Sequence, residues 1–274
     1  MVKVKAKKKF GQNFLKDESV LNKIIQSMPS NDNHIVEIGP GLGDLTNKLV
    51  KCKEVTAYEV DRDLYSILQE KFKNEIDSQK LQIILGDVLV KWEEGSTLFD
   101  GKYDLIANLP YYIATNIILK ALDDDNCENI IVMIQKEVAD KFTASPKEKE
   151  FSSLGVMTQL VSKAASTIVV VPPESFDPPP KVDSAVIYIK KDMQKKLEDG
   201  FKKFLKCCFI SPRKKLIKNL SSAYDKNMLE NIFDELNILQ TLRPHEVETS
   251  LYSQIYTKVT NGRDNKGNNS YSTS

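Results

Sequence analysis

Along the chain, short apolar blocks take turns with stretches whose apolar residues recur every three or four positions. His34–Ile38, Glu54–Tyr58, Leu81–Leu85, Tyr103–Ala107 and Asn129–Ile134 are blocks short enough to be buried strands. Between them the spacing is helical. Val20, Leu21, Ile24 and Ile25 share a face in Glu18–Met28, with Asp17 as N-cap. Leu64, Ile67, Leu68 and Phe72 repeat the pattern after Arg62-Asp63, and Thr115–Leu122 continues it. Another helix starts at Gln135-Lys136-Glu137 and runs through Val138 and Phe142. Strand and helix in strict alternation predict an α/β fold on a parallel sheet.

The later part of the chain breaks that rhythm. A helix over Phe151–Leu160 leads to a strand at Thr167–Val171, and an alternating strand follows at Ser184–Ile189. The link between these two strands, Pro172 to Lys181, is too rich in proline to form the helical crossover that a parallel return needs. The last two strands are therefore expected to be antiparallel, giving a seven-stranded sheet with one reversed strand near its edge. From Asp192 onward the spacing is helical, with Phe201, Phe204, Leu205, Cys208 and Phe209 on one face. The expected organisation is an α/β domain over residues 1–190, a small all-α domain over 191–260, and a disordered polar tail at 261–274.

Composition narrows the class. The chain has 274 residues, 41% hydrophobic and 28% charged, with no apolar run near the ~20 residues of a membrane span. The basic start has no apolar segment after it, so secretion is not expected. Cys52, Cys127, Cys207 and Cys208 lack metal-ligand spacing and the two histidines lie far apart, so neither a metal nor a disulfide framework is expected; a reducing cytoplasm fits. The net charge of +1 conceals unlike regions. Lysines crowd the N-terminal arm and Lys195–Lys218, with Arg213, Lys214 and Lys215 clustered at a helix start, where they can meet RNA phosphates.

Candidate chemistry gathers at the ends of the strands. After the first comes Gly39-Pro-Gly-Leu-Gly43-Asp44, a nucleotide-type turn, but Asp44 stands where a dinucleotide fingerprint needs a small residue. A carboxylate there repels a pyrophosphate, disfavouring a nicotinamide enzyme, and is compatible with cationic S-adenosylmethionine. Glu59 ends the next strand, placed to accept ribose hydroxyls, and Asp87 ends the third, placed to accept from an adenine amino group. The fourth ends in Asn108-Leu109-Pro110-Tyr111. Two acceptors there, the Asn108 side-chain oxygen and the Leu109 carbonyl, suit an exocyclic amine whose lone pair is delocalised into its ring. Drawing on its hydrogens favours a tetrahedral, nucleophilic nitrogen. Tyr111 offers a stacking face and Pro110 stiffens the turn.

The sequence resembles the KsgA-type family of small-subunit ribosomal RNA adenine dimethyltransferases. The resemblance is carried by Phe10–Leu15, Glu37–Gly43, Glu59–Asp63, Asn108–Tyr111, Gln135–Glu137 and Pro178–Ser184, and runs from about Lys7 to Lys258. It implies a class I methyltransferase fold and S-adenosylmethionine as cofactor. It also implies dimethylation of two adjacent adenosines in a hairpin near the 3′ end of 16S rRNA, within an assembling 30S particle. Carried over by position, Asn13, Leu15, Gly39, Glu59, Asp87 and Asn108 contact the cofactor. Asn108, the Leu109 carbonyl and Tyr111 hold the base, with Phe176 as a second stacking aromatic. Tyr112 and Ala114 depart from the Asn and Ser of some members.

The expected mechanism is direct in-line displacement on a base extruded from its stack, without a covalent enzyme intermediate or a strong general base. A monomer is expected. The competing expectations are the large-subunit RNA dimethyltransferases and an assembly factor that acts mainly by binding.

Overall fold

A computed structural model describes residues 7, 10–93 and 96–267, with side chains to 261. Lys8, Lys9 and the tail from 268 lie outside the described residues. The strands are β1 (Phe14–Leu15), β2 (His34–Ile38), β3 (Val55–Glu59), β4 (Leu81–Leu85), β5 (Tyr103–Asn108), β6 (Cys127–Gln135), β7 (Ser162–Val171), β8 (Phe176–Asp177) and β9 (Ser184–Lys191). Between β1 and β6 come helices α1 (Glu18–Gln26), α2 (Thr46–Leu49), α3 (Arg62–Lys71), α4 (Lys73–Asp77), α5 (Val88–Lys91) and α6 (Tyr111–Asp123). After β6 come α7 (Lys136–Thr143), α8 (Ser153–Val161), α9 (Asp199–Cys208), α10 (Leu216–Leu220), α11 (Lys226–Glu235) and α12 (Thr249–Gly267).

Seven strands form one sheet in the order β4-β3-β2-β5-β6-β9-β7. All pairs from β4 to β6 are parallel, and β9 runs antiparallel to both β6 and β7. The reversed strand is thus one place in from the edge, as the proline-rich link requires. Covered on both faces, the central strands are apolar almost throughout, and Ile35, Val36, Leu105, Ile106, Ile130 and Val132 are fully buried. Each such side chain contributes roughly 1.5–3 kcal/mol of burial. Chain order turns back at β2, with β3 on one side and β5 on the other. This is the switch point where open α/β sheets leave a crevice at the strands' carboxyl ends.

Some features differ from expectation. Helix α6 starts at Tyr111 rather than Thr115, because Pro110, at φ −57° and ψ 128°, is itself the cap residue. Strand β7 starts at Ser162 rather than Thr167: its polar first half pairs with Lys190 and Lys191 at the end of β9. A two-stranded sheet joins β1 to β8, with Leu15 opposite Phe176.

The chain divides into two compact units. One comprises residues up to Ala139 with Ser162–Gln194, the other Asp140–Val161 with the chain from Lys195 onward. The second unit therefore takes in α8, which the sequence reading assigned to the α/β domain. Lys147 N–H donates to the His245 carbonyl (2.7 Å) and Thr249 Oγ1 donates to Gln159 Oε1 (2.5 Å), tying that excursion to the C-terminal helices. An aromatic cluster of Phe201, Phe204, Phe209, Tyr252 and Tyr256 fills the unit's core. Helix α12 continues to Gly267, past the expected start of the tail at Asn261.

Candidate active site

The glycine turn after β2 is shaped by close approach. Gly39, at φ +70°, donates its N–H to the Tyr58 carbonyl (2.9 Å), and a Cβ there would stand 3.6 Å from Pro110 Cδ. Gly41, at φ +60°, would bring a Cβ within 3.1 Å of the Phe14 ring. Glycine permits both the left-handed backbone and the contact with the arm.

Carboxylates gather around this turn. Glu59 is buried; its Oε1 accepts from Asp61 N–H (2.8 Å) and its Oε2 from Gly41 N–H (3.3 Å). Burial raises its pKa against the pull of those N–H groups. Glu37, in the middle of β2, is also buried and accepts from Thr46 Oγ1 (2.6 Å). Burial, with the nearby Glu59 charge adding to it, pushes Glu37 up to about 8, so the carboxyl is protonated at neutral pH. Asp61 caps α3. Burial would raise its pKa, but hydrogen bonds from Lys7 and Gln12 outweigh it and the net direction is down. The N-terminal arm is fastened through the same group: Lys7 Nζ lies 2.7 Å from Asp61 and 2.6 Å from Asp63, and Gln12 Nε2 donates to Asp61 (3.0 Å).

Across the crevice, β5 delivers Asn108. Its Nδ2 donates to the Asn13 carbonyl (3.2 Å), leaving the oxygen as the half of the amide available to a ligand. Leu109 is buried, and its N–H donates to the Met133 carbonyl on β6 (3.0 Å), fixing the peptide whose carbonyl follows. Tyr111 is half-buried and its hydroxyl lies 2.6 Å from Ser184 Oγ. Of the two departures from the family pattern, Ala114 is buried inside α6, whereas Tyr112 is 61% exposed with its ring against Gly11 of the arm.

These groups line a cleft open to solvent at the carboxyl ends of the strands. Its walls include Asn13 and Leu15 of the arm, Gly39 and Gly41, Glu59, Asn108, Leu109 and Tyr111. Glu37, Asp44 and Glu59 line it and, among the described residues, no lysine or arginine does; Lys16, outside the lining, pairs with Asp44 at 2.5 Å. Glu37 is neutral, so the acidic character rests on Asp44 and Glu59; a lining with carboxylates and no basic side chain disfavours a phosphate-bearing ligand and suits a cationic nucleoside.

Not every expected residue reaches this cleft. Asp87 stays outside it: exposed, it accepts from Leu89 N–H (2.9 Å) and caps α5. Phe176 is 5% exposed and packs in the core beside Leu15, so it presents no stacking face. Apolar character alone does not separate a stacking ring from a packing one. Arg213, Lys214 and Lys215 are exposed between α9 and α10 in the second unit. The site residues that sequence reasoning missed are Glu37, Gln12 and Asp61. A carboxylate inside an otherwise apolar strand was a visible signal for the first; Gln12 and Asp61 lie in segments that carry the resemblance, but nothing local shows that they bond to each other.

Among the described residues no three His, Cys, Asp or Glu side chains converge as a metal site. Nor is any described helix long and apolar enough to cross a membrane.

Solved structures share the fold. One is a dimethyladenosine transferase from Plasmodium falciparum, with TM-score 0.75 and 24% identity over 93% of this chain and 98% of that one. Another is the 23S rRNA methyltransferase ErmE, with TM-score 0.69 and 23% identity over 90% of this chain and all of that one. The protein named ribosomal RNA small subunit methyltransferase A in Aliarcobacter butzleri is 64% identical over 96% of this chain and 100% of its own length. Its namesake in Sulfurimonas denitrificans is 57% identical over 93% of this chain and 94% of its own. The profile described as ribosomal RNA adenine dimethylase matches residues 3–260, and the chain therefore belongs to that family.

Proposed function

We propose that this protein transfers methyl groups from S-adenosylmethionine to N6 of two adjacent adenosines in the 3′-terminal hairpin of small-subunit rRNA, acting as a monomer on an assembling 30S particle in the cytoplasm. The observation that carries the reading is the pairing of a carboxylate-lined cleft with an asparagine whose amide nitrogen is already engaged by the arm. Relatives named for the small subunit, at 57–64% identity, favour that branch over the large-subunit enzymes.

When bound, the cofactor supplies the electrophilic methyl carbon on a sulfonium. Glu59 would accept the ribose hydroxyls, and Asn13, Leu15 and Gly39, all in the lining of the cleft, would hold the cofactor beside it. Asp87 lies outside the lining but close enough to Tyr112 to act on it electrostatically, and it would take the adenine end at the rim of the cleft through the carboxylate oxygen that does not cap α5. Asn108 Oδ1 and the Leu109 carbonyl accept from the two hydrogens of the target amine, and Tyr111 stacks on its base. Because the amine becomes acidic only as it is methylated, its proton passes to water and no strong base is needed. Arg213, Lys214 and Lys215 meet RNA phosphates.

Unmethylated small subunits incubated with methyl-labelled cofactor, then digested to nucleosides, test the reading. The native protein is expected to yield dimethyladenosine. Asn108→Ala should lower the rate by about 10²–10³-fold, the scale of losing one preorganised polar group, with RNA affinity intact. Equal loss of transfer and RNA binding would mean that Asn108 is structural.

A further inference from the structure

We infer that Ser184 is a positioning residue for methyl transfer: its buried hydroxyl holds the Tyr111 ring in the place where the target base stacks. The inference rests on the reading of Tyr111 as the base platform.

The geometry comes from the reversed strand. Ser184 is the first residue of β9, opposite Gln135 on β6 and Val171 on β7. Because β9 runs against β6, its first residue arrives at the carboxyl end of β5 and β6, where the cleft lies. In a parallel strand that place would fall to the last residue. Ser184 is 0% exposed, and Lys136 N–H donates to the Asp183 carbonyl (2.9 Å), fixing the chain just before it. Ser184 Oγ has little freedom, and it lies 2.6 Å from the Tyr111 hydroxyl.

Tyr111 is held at its other end as well. It opens α6 directly after Pro110, so its Cα is set by a stiff turn and a helix. A ring fixed at both its backbone and its para oxygen cannot swing about χ1 without breaking the bond to Ser184; turning about χ2 leaves that oxygen on the axis, so the bond sets where the ring lies. Burial raises the phenol's pKa against the opposing effect of that bond, which keeps the hydroxyl protonated and able to donate. Phe176 is packed in the core and shares none of this task, so the place of the ring offered to the base is the one Ser184 sets.

The test is a double-mutant cycle on the full-length protein with unmethylated small subunits: Ser184→Ala, Tyr111→Phe and the pair. Cofactor affinity is measured by calorimetry alongside. Each single change is expected to lower kcat about tenfold, the scale of one lost buried hydrogen bond. The pair should be no slower than either single, and cofactor affinity should stay within about twofold. Additive losses, or a full rate in Ser184→Ala, would overturn the inference. Should Ser184→Ala fold poorly, Tyr111→Phe probes the same bond from the other side, and a full rate there is equally fatal. Tyr111→Ala separates the two levels. If it keeps full activity, the platform reading itself falls. If it loses activity while both single-hydroxyl variants keep theirs, only the role of Ser184 falls.

Discussion

Glu37→Gln is expected to make the α/β unit more stable, increasingly so as pH rises. Glu37 is 1% exposed, and burial pushes its carboxyl up to about 8 from an ordinary 4.5. Between those values the folded chain keeps a proton that the unfolded chain gives up. Stability therefore falls as pH rises above 4.5 and stops falling near 8. At about 1.4 kcal/mol per pH unit the full interval amounts to about 5 kcal/mol, of which about 3 kcal/mol is already lost at pH 7. Glutamine cannot ionise and still offers an acceptor to Thr46 Oγ1, so the variant avoids this loss. Trp92, the chain's only tryptophan, is buried in the same unit as Glu37 and reports its unfolding. Urea titrations of both proteins at pH 5, 6, 7 and 8, followed by Trp92 fluorescence, give the difference directly. Other titrating groups, Glu59 included, are common to both proteins and cancel to first order. The gap between them should widen by about 1.4 kcal/mol per pH unit. A gap that stays constant from pH 5 to 8 would refute a protonated buried Glu37.

Gly41→Ala should weaken cofactor binding about tenfold and lower stability by about 1–2 kcal/mol, because its left-handed backbone and the Phe14 ring leave no place for a Cβ. Calorimetry with the cofactor checks the first effect and Trp92 unfolding the second. Replacing Arg213, Lys214 and Lys215 together by alanine should flatten the dependence of log affinity for RNA on log salt by about 2–3, since about three phosphate contacts are lost. Cofactor affinity should not change. Filter binding over a salt series measures the slope, and an unaltered slope would remove the cluster from the RNA interface.

By itself the sequence determined the parts whose causes are local. Apolar blocks at His34–Ile38, Leu81–Leu85 and Tyr103–Ala107 became strands because no other arrangement hides such runs between helices. The proline-rich link excluded a helical crossover, and with it a parallel β9. Gly39, Glu59 and Asn108 lie on one cleft because in a parallel sheet successive strand ends fall on the same side.

Tertiary structure decided whatever depends on partners far away in the chain. Phe176 looked like a stacking ring and became core, because β8 pairs it with Leu15. Ser162–Ser166 carries little strand propensity and became strand because β9 supplied the hydrogen bonds. Residues 140–161 joined the helical unit through bonds to Thr249 and His245 that no window of sequence contains. The fastening of the arm on Asp61, and of Tyr111 on Ser184, joins residues more than fifty positions apart. Periodicity and motif record what each segment must bury or cap, whereas the partner it finds is fixed only when the whole chain has packed.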